Sequence, residues 1–88
     1  MSGGSLEELG LRRGERVRWQ RRAGGRWAEG SVTGRERDGS VAVRDGQGRA
    51  RAFVVDRLEV RATGPRGAAG WEPLRERARR TEQLHLFD

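Results

Sequence analysis

The chain has no cysteine, no lysine and no tyrosine, and only one histidine among its 88 residues. Without cysteine there are no disulfide staples, thiolate metal sites or cysteine nucleophile. The single histidine, His85, has no evident partner for general-base work. Ser2, Ser5, Ser31 and Ser40 belong to no Ser-His-acid constellation. Without lysine there is no Gly-x-x-x-x-Gly-Lys phosphate loop. The acids are scattered among arginines rather than gathered for a metal ion. The expectation is a non-enzyme with no cofactor and no metal site. No apolar run approaches a membrane span or a signal-peptide core, so no membrane contact is expected. The chain reads as soluble and cytoplasmic, and a monomer is the working expectation.

What is present is charge. Charged residues make up 36% and hydrophobic residues 33%, which allows one small domain with a compact core and tails. All nineteen cationic residues are arginine, and the net charge is +6. Guanidinium groups pair phosphates in bidentate fashion, which points to nucleic acid. A chain encoded by GC-rich DNA is also rich in Arg, Gly and Ala, and the missing lysine is assigned to that codon bias. Location is more useful than identity. Residues 12–62 carry fourteen Arg against seven acids, +7, whereas residues 1–11 carry −2 and residues 63–88 carry +1. The positive excess sits on the central segment, where an electrostatic footprint is expected. Arg18, Arg21, Arg22, Arg26, Arg49 and Arg51 are the candidate nucleic-acid contacts.

Residues 1–11 form an N-terminal segment whose Ser5-Leu6-Glu7-Glu8 has a capping-box pattern. It predicts one helical turn stopped at Gly10, with Leu6 and Leu9 plugging one end of the domain. Residues 12–62 read as β. Strands are expected at 16–20, 27–35, 40–44, 49–54 and 58–61, separated by turns at Ala23-Gly24-Gly25, Asp38-Gly39, Asp45-Gly46-Gln47-Gly48 and Val55-Asp56-Arg57. Five short strands with glycine-based turns predict a small barrel or sandwich. The expected core is Val17, Val32, Val41, Val43, Phe53, Leu58 and Val60, with Trp19 or Trp27 part-buried. Residues 63–70 read as a flexible linker. Residues 71–82 read as a basic, partly helical segment with Leu74 and Ala78 on one face and Glu76 paired to Arg80. Residues 83–88 form a separate terminal peptide.

The stretches Gly14-Glu15-Arg16-Val17-Arg18-Trp19, Gly25 to Val32, and Asp45-Gly46 before a basic strand resemble a Src-homology-3-like barrel of the Tudor or KOW type. The resemblance implies a mainly β, five-stranded small barrel with a short N-terminal helical turn and a flexible or partly helical C-terminal tail. Barrels of this type bind DNA, RNA, methylated side chains or proteins, so the fold alone assigns no function. A cage for a methylated cation usually needs three or four aromatics at one rim. This segment offers Trp19, Trp27 and Phe53, for which packing is the favoured role and base stacking the secondary one.

The most specific signal is the ending, Gln83-Leu84-His85-Leu86-Phe87-Asp88. Three large apolar side chains there follow a charged stretch, and burying each contributes roughly 1.5–3 kcal/mol. Leu86 and Phe87 suit one apolar cleft, and the Gln83 amide suits its rim. Gln83, Leu84, Leu86 and Phe87 match the motif by which bacterial polymerases and repair factors dock on the sliding clamp, and His85 falls at its permissive position. The resemblance implies a nucleoid-associated replication or repair accessory, with the basic barrel touching DNA non-specifically or meeting a repair partner. Three alternatives stay open. The chain could compete for the clamp and block polymerases. It could be a KOW-like RNA-binding module with its tail folded on its own barrel, or a Tudor-like protein adaptor.

Overall fold

Val17 and Trp19 alternate with Arg16, Arg18 and Gln20, and this period of two makes a strand with one apolar face. The same pattern recurs through the chain. In the computed structural model, which describes residues 4–63 and 69–86, six strands form one antiparallel sheet. They are β1 (Arg16–Gln20), β2 (Trp27–Arg35), β3 (Val41–Asp45), β4 (Ala50–Phe53), β5 (Leu58–Thr63) and β6 (Ala69–Pro73). Their order is β4-β3-β2-β1-β5-β6, and one helix, α1 (Leu74–Leu86), follows. The protein is mainly β, as expected. The closed five-stranded barrel is not formed: the sheet has a sixth strand and stays open, with β4 and β6 at its edges.

The sheet is nevertheless strongly curled. Three strand spacings separate β4 from β1, roughly 14 Å in a flat sheet. Yet the rings of Trp19 on β1 and Phe53 on β4 lie 4.7 Å apart. Two local features bend β2. The β2–β3 register shifts between Val32 and Gly34, a bulge that sharpens twist. Gly30 lies beneath the Trp19 indole, where a Cβ would stand 2.9 Å from Cη2. Glycine there lets the large ring fold across the concave face.

That concave face is the core. Val17, Val32, Val41, Val43, Leu58 and Val60 are buried, as expected, whereas Phe53 is only half-buried against them and Trp19, expected at most part-buried, is fully in the core. Leu9, Leu11 and Leu74 complete the buried set. Pairing of Trp19 with Ala28 and of Gln20 with Trp27 assigns the two tryptophans to opposite faces. Trp19 is buried, and Trp27 is 42% exposed.

The ends of the sheet follow local chemistry. The 3-10 turn Glu7–Leu9 stops at Gly10, whose φ of 72° is left-handed, and Ser5 Oγ accepts the Glu8 N–H at 3.4 Å. Leu9 and the part-buried Leu6 close one end of the core. Asp38 Oδ1 accepts the Ser40 N–H at 2.9 Å in the β2–β3 turn, where Gly39 has φ 93°. A second 3-10 turn, Val55–Arg57, joins β4 to β5.

The segment after β5 departs most from expectation. Of the linker expected over 63–70, residues 64–68 lie outside the described residues, and its ends are strand: Thr63 closes β5 and Ala69 opens β6. Trp71, expected in a helix, pairs with Arg61 in the β5–β6 ladder. The helix begins at Leu74 and runs past residue 82 to Leu86. Leu74 and Ala78 share its inward face, as expected. Arg80 pairs with Glu72 at 2.9 Å rather than with Glu76, because β6 holds Glu72 beneath the helix.

Candidate functional site

Three features gather the chemistry-bearing side chains. The first is a basic cleft of about 450 Å³ at one end of the sheet. Trp19 and Phe53 line its inner wall, and Arg21, Arg51 and Arg57 line its mouth. Its Arg51 side meets the β3–β4 turn, where Asp45 Oδ1 accepts the N–H groups of Gln47 and Arg49, each at 2.9 Å. The Arg49 N–H foremost, then the Gln47 N–H and the Arg51 guanidinium, hold the Asp45 carboxyl below the ordinary carboxylate range. Arg57 donates to the Gln20 carbonyl at 2.8 Å, and its guanidinium carbon lies 5.7 Å from the Phe53 ring centroid.

The second feature covers the opposite, convex face. Arg18 on β1 stands between two indoles, with its guanidinium carbon 3.9 Å from the Trp27 centroid and 4.9 Å from that of Trp71. Glu59 on the neighbouring β5 accepts from Arg18 Nε at 2.8 Å and from Nη2 at 2.6 Å. Arg61 approaches Trp71 at 5.4 Å. Period-two alternation makes this stack, because Arg18, Glu59, Trp27 and Trp71 all project from the face opposite the core. Cation–π attraction contributes about 0.5–1 kcal/mol at exposed sites and more when desolvated.

The third feature is the seat of α1. Arg77 Nη1 donates to Glu15 at 2.5 Å and its Nε to Glu72 at 3.0 Å, while Nη2 reaches the Arg61 carbonyl at 3.2 Å. Burial opposes charge on Arg77, but the hydrogen bonds to Glu15 and Glu72 outweigh it and raise its pKa. The Arg80 guanidinium foremost, then Arg77, holds the Glu72 carboxyl below its ordinary value. Thr81 is half-buried and donates to the Arg77 carbonyl at 2.9 Å.

The expected contacts are not brought to one surface. Arg21 and Arg51 line the basic cleft, and Arg22 lines a second cleft beside it. Arg26 is exposed just before β2, and Arg49 is exposed just before β4. Arg18 is committed to Glu59 and the two indoles. Of the terminal peptide, Gln83, Leu84, His85 and Leu86 belong to α1, and Gln83 is exposed. Phe87 and Asp88 lie outside the described residues. Arg57, Trp71 and Arg77 were not anticipated as site residues. Alternation from Arg57 across the β4–β5 turn carries no signal, because a 3-10 turn breaks the period. The partners of Trp71 and Arg77 are distant in sequence, so only the fold reveals them.

Among the described residues, no group of three or more His, Asp or Glu side chains is placed to hold a metal ion. Among them, too, no helix is long and apolar enough to cross a membrane. No protein-family model, curated protein or solved structure matches the chain.

Proposed function

We propose that this chain is a non-enzymatic accessory of DNA replication or repair that docks on the bacterial sliding clamp through Gln83, Leu84, Leu86 and Phe87. Its basic β-domain contacts DNA or a repair partner. The observation that carries the reading is the division of labour along α1. Leu74 is buried, Arg77, Ala78 and Thr81 are half-buried, and Gln83 is exposed. Docking as an extended peptide requires the last turn of the helix to unwind. Helix ends open at little free-energy cost, because their final carbonyls have no partner within the helix. The strand order, with β1 between β2 and β5 and a curl that returns β4 to β1, supports an opened Src-homology-3-like architecture.

Titration of a bacterial sliding clamp with the whole chain and with a Leu86→Ala/Phe87→Ala variant tests the docking. The parent is expected to bind and the variant to lose nearly all binding. Equal binding by both removes the clamp reading. Stimulation or inhibition of clamp-dependent synthesis then separates an accessory from a competitor. A second reading has one observation in its favour: Gln83 to Leu86 continue the helix without a break. On that reading the tail belongs to an RNA- or protein-binding module of the KOW or Tudor type, and the clamp does not bind.

A further inference from the structure

Two clefts open side by side where β1 turns into β2. One, of about 450 Å³, reaches Trp19 and Phe53, and the other, of about 550 Å³, runs past Gln20, Arg22 and Trp27. Arg21 and Arg57 line both. The two clefts therefore adjoin at Arg21 and Arg57, giving a path around the end of the sheet from Phe53 on the core face to Trp27 on the opposite face, with two guanidinium groups between.

Acids also line this path, but each is already engaged. Glu29 pairs with Arg16 at 3.3 Å, and Glu59 holds Arg18 at 2.6 Å. Asp45 accepts the N–H groups of its own turn, and Asp56 pairs with Arg75. Among the described residues, the side chains of Arg21 and Arg22 enter no hydrogen bond or ion pair, and both are exposed. The path thus presents cations whose charge the fold does not satisfy. Trp27 is 42% exposed, although Arg18 covers one side of its ring.

We propose that this path holds single-stranded nucleic acid, with one base stacked on the exposed part of Trp27, another against Phe53, and the intervening backbone phosphate between Arg21 and Arg57. The proposal deepens the nucleic-acid half of the proposed function and rests on it. Every base has a π face, so two aromatic ends with a cationic middle accept a strand of any sequence. A duplex keeps its bases stacked on each other and offers only phosphates. DNA and RNA strands share the chemistry required.

Tryptophan fluorescence of the whole chain tests this, using a deoxythymidine oligomer, a uridine oligomer and a duplex of equal length across a salt series. Single strands are expected to quench and to bind about tenfold or more tighter than duplex. Trp27→Ala should weaken strand binding at least about fivefold. Arg21→Ala/Arg22→Ala, which breaks no side-chain bond in the fold, should flatten the salt dependence. At about 0.7 per phosphate the slope of log K falls by up to about 1.4. Arg13→Ala/Arg37→Ala serves as the charge-matched control, since neither residue lines the path. A control that flattens the slope equally, or a Trp27→Ala variant that binds strands as the parent does, overturns the proposal. Duplex bound as tightly as single strands overturns the path while leaving DNA contact by the domain standing. No binding to either overturns both. Preference between the two oligomers tells a DNA strand from an RNA strand, and either preference upholds the path. Clamp docking is read separately, because Leu86→Ala/Phe87→Ala should keep strand binding.

Discussion

Trp19 and Phe53 meet with ring centroids 4.7 Å apart and planes inclined by 33°, although their strands stand three places apart in the sheet. This contact fastens the curl of the sheet. Tilted aromatic pairs add about 0.5–1.5 kcal/mol beyond the area they bury. Phe53→Ala is expected to lower the unfolding free energy by about 2–3 kcal/mol, short of a fully buried phenylalanine because Phe53 is only half-buried. A urea midpoint measures it, and a loss below about 0.5 kcal/mol, the range of an ordinary surface substitution, would mean that the curl is held elsewhere.

Arg77 joins three parts of the chain through Glu15, Glu72 and the Arg61 carbonyl. Arg77→Met keeps the aliphatic stem and deletes the guanidinium. The expected cost is about 1.5–3 kcal/mol, the range for hydrogen bonds to charged groups. A double-mutant cycle with Glu15→Gln should return a coupling of about 1 kcal/mol. Additive effects would show that the 2.5 Å contact contributes nothing of its own.

Glu72 sets an acid limit on the seat of α1. Its folded-state pKa is depressed, foremost by Arg80, so its contribution is fully present above the ordinary glutamate value of 4.5. That contribution is lost as pH falls through the lowered folded-state value. Glu72→Gln is expected to be less stable than the parent at neutral pH, and the two stabilities should converge in acid. Chemical denaturation across pH checks the prediction. A gap that persists unchanged at the acid end would assign the loss to packing rather than charge.

The helical state of the terminal peptide makes a further prediction. Glu82→Pro removes an N–H from the last turns of α1 and frees Gln83 onward to extend. If the peptide docks extended, clamp affinity should stay level or rise by at most about threefold, since the unwound form is then the populated one. A Glu82→Pro chain that no longer binds the clamp would mean that the helix itself is recognised.

Local pattern carried most of the fold. Strand bounds for β1 and β2 follow directly from alternation, because each runs between glycine-containing turns. β6 was invisible for the opposite reason. Ala69-Gly70-Trp71-Glu72-Pro73 has little strand propensity, and its order comes from non-local pairing with β5. Leu11 was missed as core because it falls outside a clear periodic run, and Leu74, although placed with Ala78 on one helix face, because its burial depends on how α1 closes over the sheet. The site was legible in residue type and not in placement. Strand parity separates Trp19 from Trp27 only once the β1–β2 register is known. Arg18 reads as one more free cation until Glu59, forty-one residues away, is brought beside it.

Trp71 is fixed on the sheet edge, and α1 starts three residues later without an intervening loop. From Leu74 to Gln83 the helix spans roughly 14 Å at about 1.5 Å per residue. Gln83, where the terminal peptide starts, is thus carried on a strut rather than a tether, with both distance and bearing defined relative to the arginine-lined path. Each residue inserted into α1 turns the peptide by about 100° and advances it by about 1.5 Å. Cooperation between the two sites should then oscillate with helix length, where a loose connection gives only a smooth decline.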